Sequence, residues 1–99
     1  MELYQAEWCP HSHKVRQRLT ELGLDFLARQ VPAEPEERDA LERATGTNEI
    51  PVLVTGEGER LKGEEEILSF LDRFHERADA DRHRAKAREE VREFAEVKG

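Results

Sequence analysis

The order of helix-start and helix-stop signals in the first thirty residues constrains this chain most. Residues 2–5 alternate with Leu3 apolar, the pattern of a short strand. Pro10 stands where the first residue of a helix belongs: its fixed φ suits the helix, and its missing N–H has no partner to lose there. Val15, Leu19 and Leu22 then recur at i, i+4 and i+7, and Gly23 supplies the stop. Residues 25–31 read as a second strand ended by Pro32. Two strands joined by a helix lie parallel, with a right-handed crossover.

The rest of the chain extends this start. Residues 34–44 read as a second helix, with Pro35 and an acidic first turn, ended by Thr45-Gly46. Its apolar face of Ala40, Leu41 and Ala44 is narrow and predicts only partial cover for a sheet. Residues 50–54 and 59–62 flank a Gly-containing loop and read as a hairpin closed by Gly63. Residues 64–77 read as a third helix, acidic in its first turn, with Ile67, Leu68, Leu71 and Phe74 on one stripe. The order βαβ–αββα predicts an α/β sandwich on a mixed four-stranded sheet, flanked by helices. Residues 78–99 form a charged helical extension: Ala80, Ala87, Val91, Phe94 and Ala95 make a thin stripe, which reads as an exposed or loosely docked helix. One domain over residues 1–77 plus an extension over 78–99 is the expected organisation.

Composition narrows the function classes. Ninety-nine residues make one small domain, and 36% hydrophobic against 39% charged is a lean balance. The net charge of −7 is uneven, because residues 1–74 hold 16 acidic and 9 basic side chains while residues 75–99 hold 7 of each. An acidic surface disfavours nucleic acid and anionic membrane as partners. No basic region is followed by a long apolar run, so neither a signal peptide nor a membrane span is expected. The single cysteine excludes an internal disulfide and suits a reducing compartment, with the cytoplasm as the expected location.

That cysteine lies in Trp8-Cys9-Pro10-His11-Ser12, where the first helix opens. A thiol there faces unpaired N–H groups and the positive end of the helix dipole, both of which favour the thiolate. The alternative is a plain buried cysteine, but the Pro-His-Ser context is polar and favours a nucleophile. Cys9, His11 and His13 outline a C-x-H-x-H spacing, yet residues two apart on a helix point in different directions, and no metal is expected. His75 and His83 read as exposed helix residues.

Taken together, Trp8-Cys9-Pro10-His11-Ser12, Glu49-Ile50-Pro51-Val52-Leu53 and Gly63-Glu64-Glu65-Glu66-Ile67 resemble, in order and spacing, the glutaredoxins and the N-terminal domains of glutathione transferases, within the thioredoxin superfamily. The resemblance covers residues 2 to about 75. It implies a thioredoxin/glutaredoxin-like fold and a thiol–disulfide oxidoreductase with Cys9 as the catalytic residue. It further implies a cis Pro51 packed against Cys9, with the backbone of Ile50 pairing with the cysteinyl part of a thiol; a trans proline opening an edge strand is the alternative. Backbone N–H groups of Glu64 and Glu65 would take the γ-glutamyl carboxylate of glutathione, and a glutamate side chain, Glu65, its ammonium; dipole complementation also accounts for acidic residues there. Trp8, Pro10, His11 and Ser12 complete the implied glutathione-binding set.

Two departures from the family matter. Ala6 and Glu7 stand where glutaredoxins carry a lysine for the glycyl carboxylate, and Lys14 and Arg16, which could replace it, read as solvated helix residues. Ser12 stands where dithiol enzymes have a second cysteine, and a hydroxyl cannot expel Cys9 from a mixed disulfide, so the resemblance implies a monothiol enzyme. The expected co-substrate is glutathione or a related low-molecular-weight thiol, and the expected partners are glutathionylated protein disulfides. A transferase-like thiol-binding domain without turnover and an iron–sulfur cluster carrier are the rivals. Carriers usually have Gly after the cysteine, so Pro10 argues against that class.

Overall fold

The computed structural model describes the backbone of residues 1–98 and the side chains of residues 1–89. Four short strands, β1 (Glu2–Gln5), β2 (Leu27–Gln30), β3 (Val52–Val54) and β4 (Arg60–Lys62), form one sheet in the order β2-β1-β3-β4. β1 runs parallel to β2 and antiparallel to β3, and β3 runs antiparallel to β4. The register places Leu3 opposite Leu53 and Leu53 opposite Leu61, so the alternation of three strands aims one leucine each at the same face. Val15, Leu19 and Leu22 of α1 (Pro10–Leu22) and Ile67 and Leu71 of α3 (Glu64–Leu71) close over these leucines as the main core. The crossover, mixed sheet and flanking helices match the expected α/β architecture.

Gly23 ends α1 in the left-handed conformation, φ 67°, and its N–H reaches back to the Leu19 and Thr20 carbonyls. A side chain there would be strained, so this glycine sets where the chain turns back towards β2.

Strands β2, β3 and β4 are shorter than expected, and the second and third helices differ for local reasons. β2 covers only Leu27–Gln30 and is an edge strand with all four residues exposed. The predicted second helix is split into a 3₁₀ turn at Pro35–Glu37 and α2 at Asp39–Thr45, because Arg38 between them leaves helical geometry (φ −92°, ψ 48°). Its buried guanidinium donates to the carbonyls of Pro32 (2.7 Å), Ala33 (2.9 Å) and Asn48 (3.0 Å). The third helix stops at Leu71 and tightens into i→i+3 bonds, Arg73 N to Phe70 O and Phe74 N to Leu71 O. That turn still brings Phe74 against the core, edge-on to Phe70 with ring centroids 5.9 Å apart, so an apolar stripe persisted in sequence after the helix had ended. His75 is therefore exposed but outside any helix.

The extension is helix α4 (Ala80–Lys98), and at its start it is docked on α1. Ala80 is buried and Ala87 half-buried, while the side chains of Val91, Phe94 and Ala95 lie outside the described residues. Charged side chains take part in the joining. Arg84 Nη1 lies 2.7 Å from Glu21 Oε1 and 2.9 Å from Glu76 Oε2, and Arg18 Nη1 approaches the same two carboxylates at 2.9 and 2.5 Å. Hydrogen bonds from Arg84 and then Arg18 hold the Glu76 carboxyl down to about 2. Glu21 is buried, which these two guanidinium groups make tolerable. No helix among the described residues is long and apolar enough to cross a membrane.

Candidate active site

Cys9 is the N-cap of α1, in extended geometry (φ −78°, ψ 118°), with Pro10 as the first helical residue. Its N–H donates to Ala6 O at 3.1 Å, and its Sγ accepts from the Ser12 N–H at 3.4 Å, the bond a capping serine or aspartate would accept. Burial raises the thiol, but the Ser12 hydroxyl, the N–H groups of Ser12 and His11 and the Arg16 charge together outweigh it, so Cys9 sits below its ordinary value. Ser12 is fully buried, and its Oγ accepts from Ala6 N at 3.4 Å. Trp8, next to the thiol, is 64% exposed.

Cys9 and Ser12 share one helical turn, with Sγ already in reach of the Ser12 N–H. The Ser12→Cys variant is therefore expected to close an internal disulfide under mild oxidation, both thiols vanishing together in a thiol titration. Two thiols that stay titratable would contradict the geometry.

A cleft of about 470 Å³ separates the start of α1 from the start of α3, lined by His11, Lys14, Lys62 and residues 63–66. Glu64 spans it: its Oε1 lies 2.7 Å from His11 Nδ1 and its Oε2 3.6 Å from Lys14 Nζ, and the His11 bond leads in holding this carboxyl below its ordinary value. Glu66 turns away and accepts the Lys62 N–H at 2.7 Å. Glu65 is exposed. Gly63, at φ 89° a conformation few side chains adopt, caps α3 without a side-chain acceptor. Among the described residues the N–H groups of Glu64, Glu65 and Glu66 therefore have no hydrogen-bond partner.

The Ile50–Pro51 peptide bond is cis, as the resemblance implied. Pro51 is buried, and its carbonyl accepts from Gly63 N at 2.9 Å, which ties the start of β3 to the start of α3. Neither the N–H nor the C=O of Ile50 has a hydrogen-bond partner among the described residues.

The His11–Glu64 pair thus joins the start of α1 to the start of α3, and Pro51 joins the start of α3 to β3, while Cys9 and Ile50 are not among the residues that line the cleft. Sequence reasoning missed two arginines. Arg16, expected to be solvated, is 18% exposed at its side chain and bonded to Gln5 and Ala6. Arg38 gave no periodic signal because its partners are carbonyls of a loop. His83, expected to be exposed, is half-buried with Nε2 3.2 Å from Asp79 Oδ2.

A β2-β1-β3-β4 sheet, a cysteine capping the helix after its first strand and a cis proline leading into its third define a thioredoxin-like thiol fold. Residues 1–59 match the family pattern described as Glutaredoxin, and the chain belongs to that family. A glutaredoxin of Pseudomonas aeruginosa is 33% identical over 55 residues, which is 56% of this chain and 66% of that protein. A glutathione S-transferase from Rhodospirillum rubrum F11 superposes with a TM-score of 0.63 and 29% identity, over 73% of this chain and 32% of the transferase. A glutathione S-transferase domain-containing protein from Marinobacter aquaeolei VT8 gives a TM-score of 0.63 at 25% identity, over 76% of this chain and 39% of its own. The chain thus matches just under two thirds of that glutaredoxin and between 32% and 39% of the two transferase chains.

Proposed function

We propose that this protein is a monothiol glutaredoxin-like oxidoreductase that acts through Cys9 on mixed disulfides of glutathione or a related low-molecular-weight thiol. The observation that carries the reading is a cysteine sulfur used as a helix cap, accepting the Ser12 N–H, with its pKa lowered despite burial. The Cys9 thiolate attacks the small-thiol sulfur of a mixed disulfide, a new S–S bond forms, and the protein thiol leaves as thiolate and is protonated by solvent. A second small-thiol thiolate then attacks that sulfur in the Cys9 adduct, leaving a small-thiol disulfide and regenerating Cys9. Ser12 offers no sulfur to resolve the adduct internally.

The remaining residues divide the small thiol between them in this reading. The unpaired backbone of Ile50, beside Pro51, takes the cysteinyl amide. The free N–H groups of Glu64 and Glu65 take a γ-glutamyl carboxylate, and the exposed Glu65 carboxylate its ammonium. Trp8, Pro10 and His11 wall the thiol. Glutathione enters the proposal through the glutaredoxin family and the transferase relatives; no metal takes part. The catalytic unit spans residues 1–77, the extension spans residues 78–99, and a reducing, cytoplasmic setting suits a lone thiol.

Turnover with a glutathionylated peptide and excess glutathione tests the reading. An enzyme cycles many times, whereas a binding domain without turnover stops at one equivalent with a matching gain in mass. Glu65→Ala should raise the apparent KM for glutathione roughly tenfold, since losing a charge-assisted hydrogen bond costs about 1.5–3 kcal/mol. A thiol without a γ-glutamyl group should be unaffected. Equal losses for both thiols would remove Glu65 from the site.

A further inference from the structure

We propose that Arg16 is a positioning residue for Cys9, returning a positive charge to the cysteine's own turn, and that Glu7 moderates it. The inference rests on Cys9 being the nucleophile. Arg16 lies on α1 two turns beyond its N-cap, and helical side chains lean towards the N-terminus, so a long side chain there covers the turn that Cys9 begins. Its Nη1 donates to Gln5 Oε1 and to Ala6 O at 3.4 Å. The same Ala6 carbonyl accepts the Cys9 N–H at 3.1 Å, and the Ala6 N–H donates to Ser12 Oγ. One shared carbonyl therefore joins the guanidinium to the backbone of Cys9, and the residue carrying that carbonyl also orients Ser12.

The support is stiff. Gln5 is buried and donates through Nε2 to Gln30 Oε1 at 3.0 Å, so the acceptor that holds Arg16 is itself held from β2. On the outer side Arg16 Nη2 lies 3.3 Å from Glu7 Oε2, and Glu7 is 86% exposed. Arg16 is thus shared between a solvent-facing carboxylate and the thiol's turn. Two further side chains at this end, His11 and Lys14 of α1, face Glu64 of α3. After burial, which raises the Cys9 thiol, and the Ser12 and His11 donors, which lower it, the Arg16 charge adds to the lowering.

The test is the pH dependence of Cys9 alkylation by iodoacetamide, which needs no glutathione. Arg16→Gln should raise the midpoint by about half a pH unit, roughly a threefold loss of rate below the midpoint. Arg16→Lys keeps the charge and should recover part of it, Glu7→Gln should lower the midpoint, and added salt should shrink each difference. An unmoved midpoint in a natively folded Arg16→Gln protein overturns the inference. Should that variant not fold, an unmoved midpoint in Glu7→Gln, which touches only an exposed side chain, overturns it instead. A wild-type midpoint at the ordinary thiol value of about 8.5 would overturn the Cys9 reading itself, whereas a lowered wild type with unresponsive variants would overturn only the role of Arg16.

Discussion

Replacing Cys9 by serine is expected to abolish thiol–disulfide exchange, a loss on the order of 10³-fold or more, because the chain has no second sulfur nucleophile and a hydroxyl stays protonated where a capped thiol ionises. The fold should survive it. Serine is a preferred N-cap, and its Oγ can accept the Ser12 N–H that Cys9 Sγ now accepts, so stability should change by less than about 1 kcal/mol. Exchange rates measured beside a thermal melt separate chemistry from folding. Residual exchange in a well-folded Cys9→Ser protein would place the chemistry elsewhere and end the proposed function.

The Arg38→Ala variant should show the largest loss of stability at any polar position described here. Its guanidinium is buried and donates to three carbonyls on two loop segments, Pro32 and Ala33 on one and Asn48 on the other. Hydrogen bonds from a charged donor contribute about 1.5–3 kcal/mol each, but the loop carbonyls regain water once the side chain is gone. A net loss of about 3 kcal/mol follows, which for a chain this size lowers Tm by roughly 12–24 °C. Asn48 lies two residues before Ile50 and the cis proline, so releasing it should also weaken thiol binding. Arg38→Lys cannot reproduce a three-way fork and should recover little. A melt within a few degrees of wild type would show that these carbonyls are satisfied without Arg38.

Much of the fold was legible because its signals are local. Pro10 and Gly23 bracket α1 through φ preferences of single residues, and the leucines of β1, β3 and β4 follow a period of two. The end of α3 was not legible, because Phe74 keeps the apolar stripe whether the backbone is α-helical or 3₁₀. What docks the start of α4 was not legible for a related reason. A charged stripe reads as solvated, and only the fold brings Glu76 and Arg84 onto the distant Arg18–Glu21 pair in one cluster.

The candidate site divides the same way. By itself the sequence determined the chemistry on offer: one thiol at a helix start, a serine one turn on, a proline before a strand and glutamates opening another helix, all short-range patterns with a physical reason at each position. Only the tertiary structure decided which groups that chemistry meets. Glu64 answers His11 and Lys14 across a cleft, Glu66 turns back to its own backbone while Glu65 stays exposed, and Arg16 returns to the turn of the cysteine. Side-chain pairing of that kind depends on the distance between elements far apart in the chain, and no periodicity or composition encodes it.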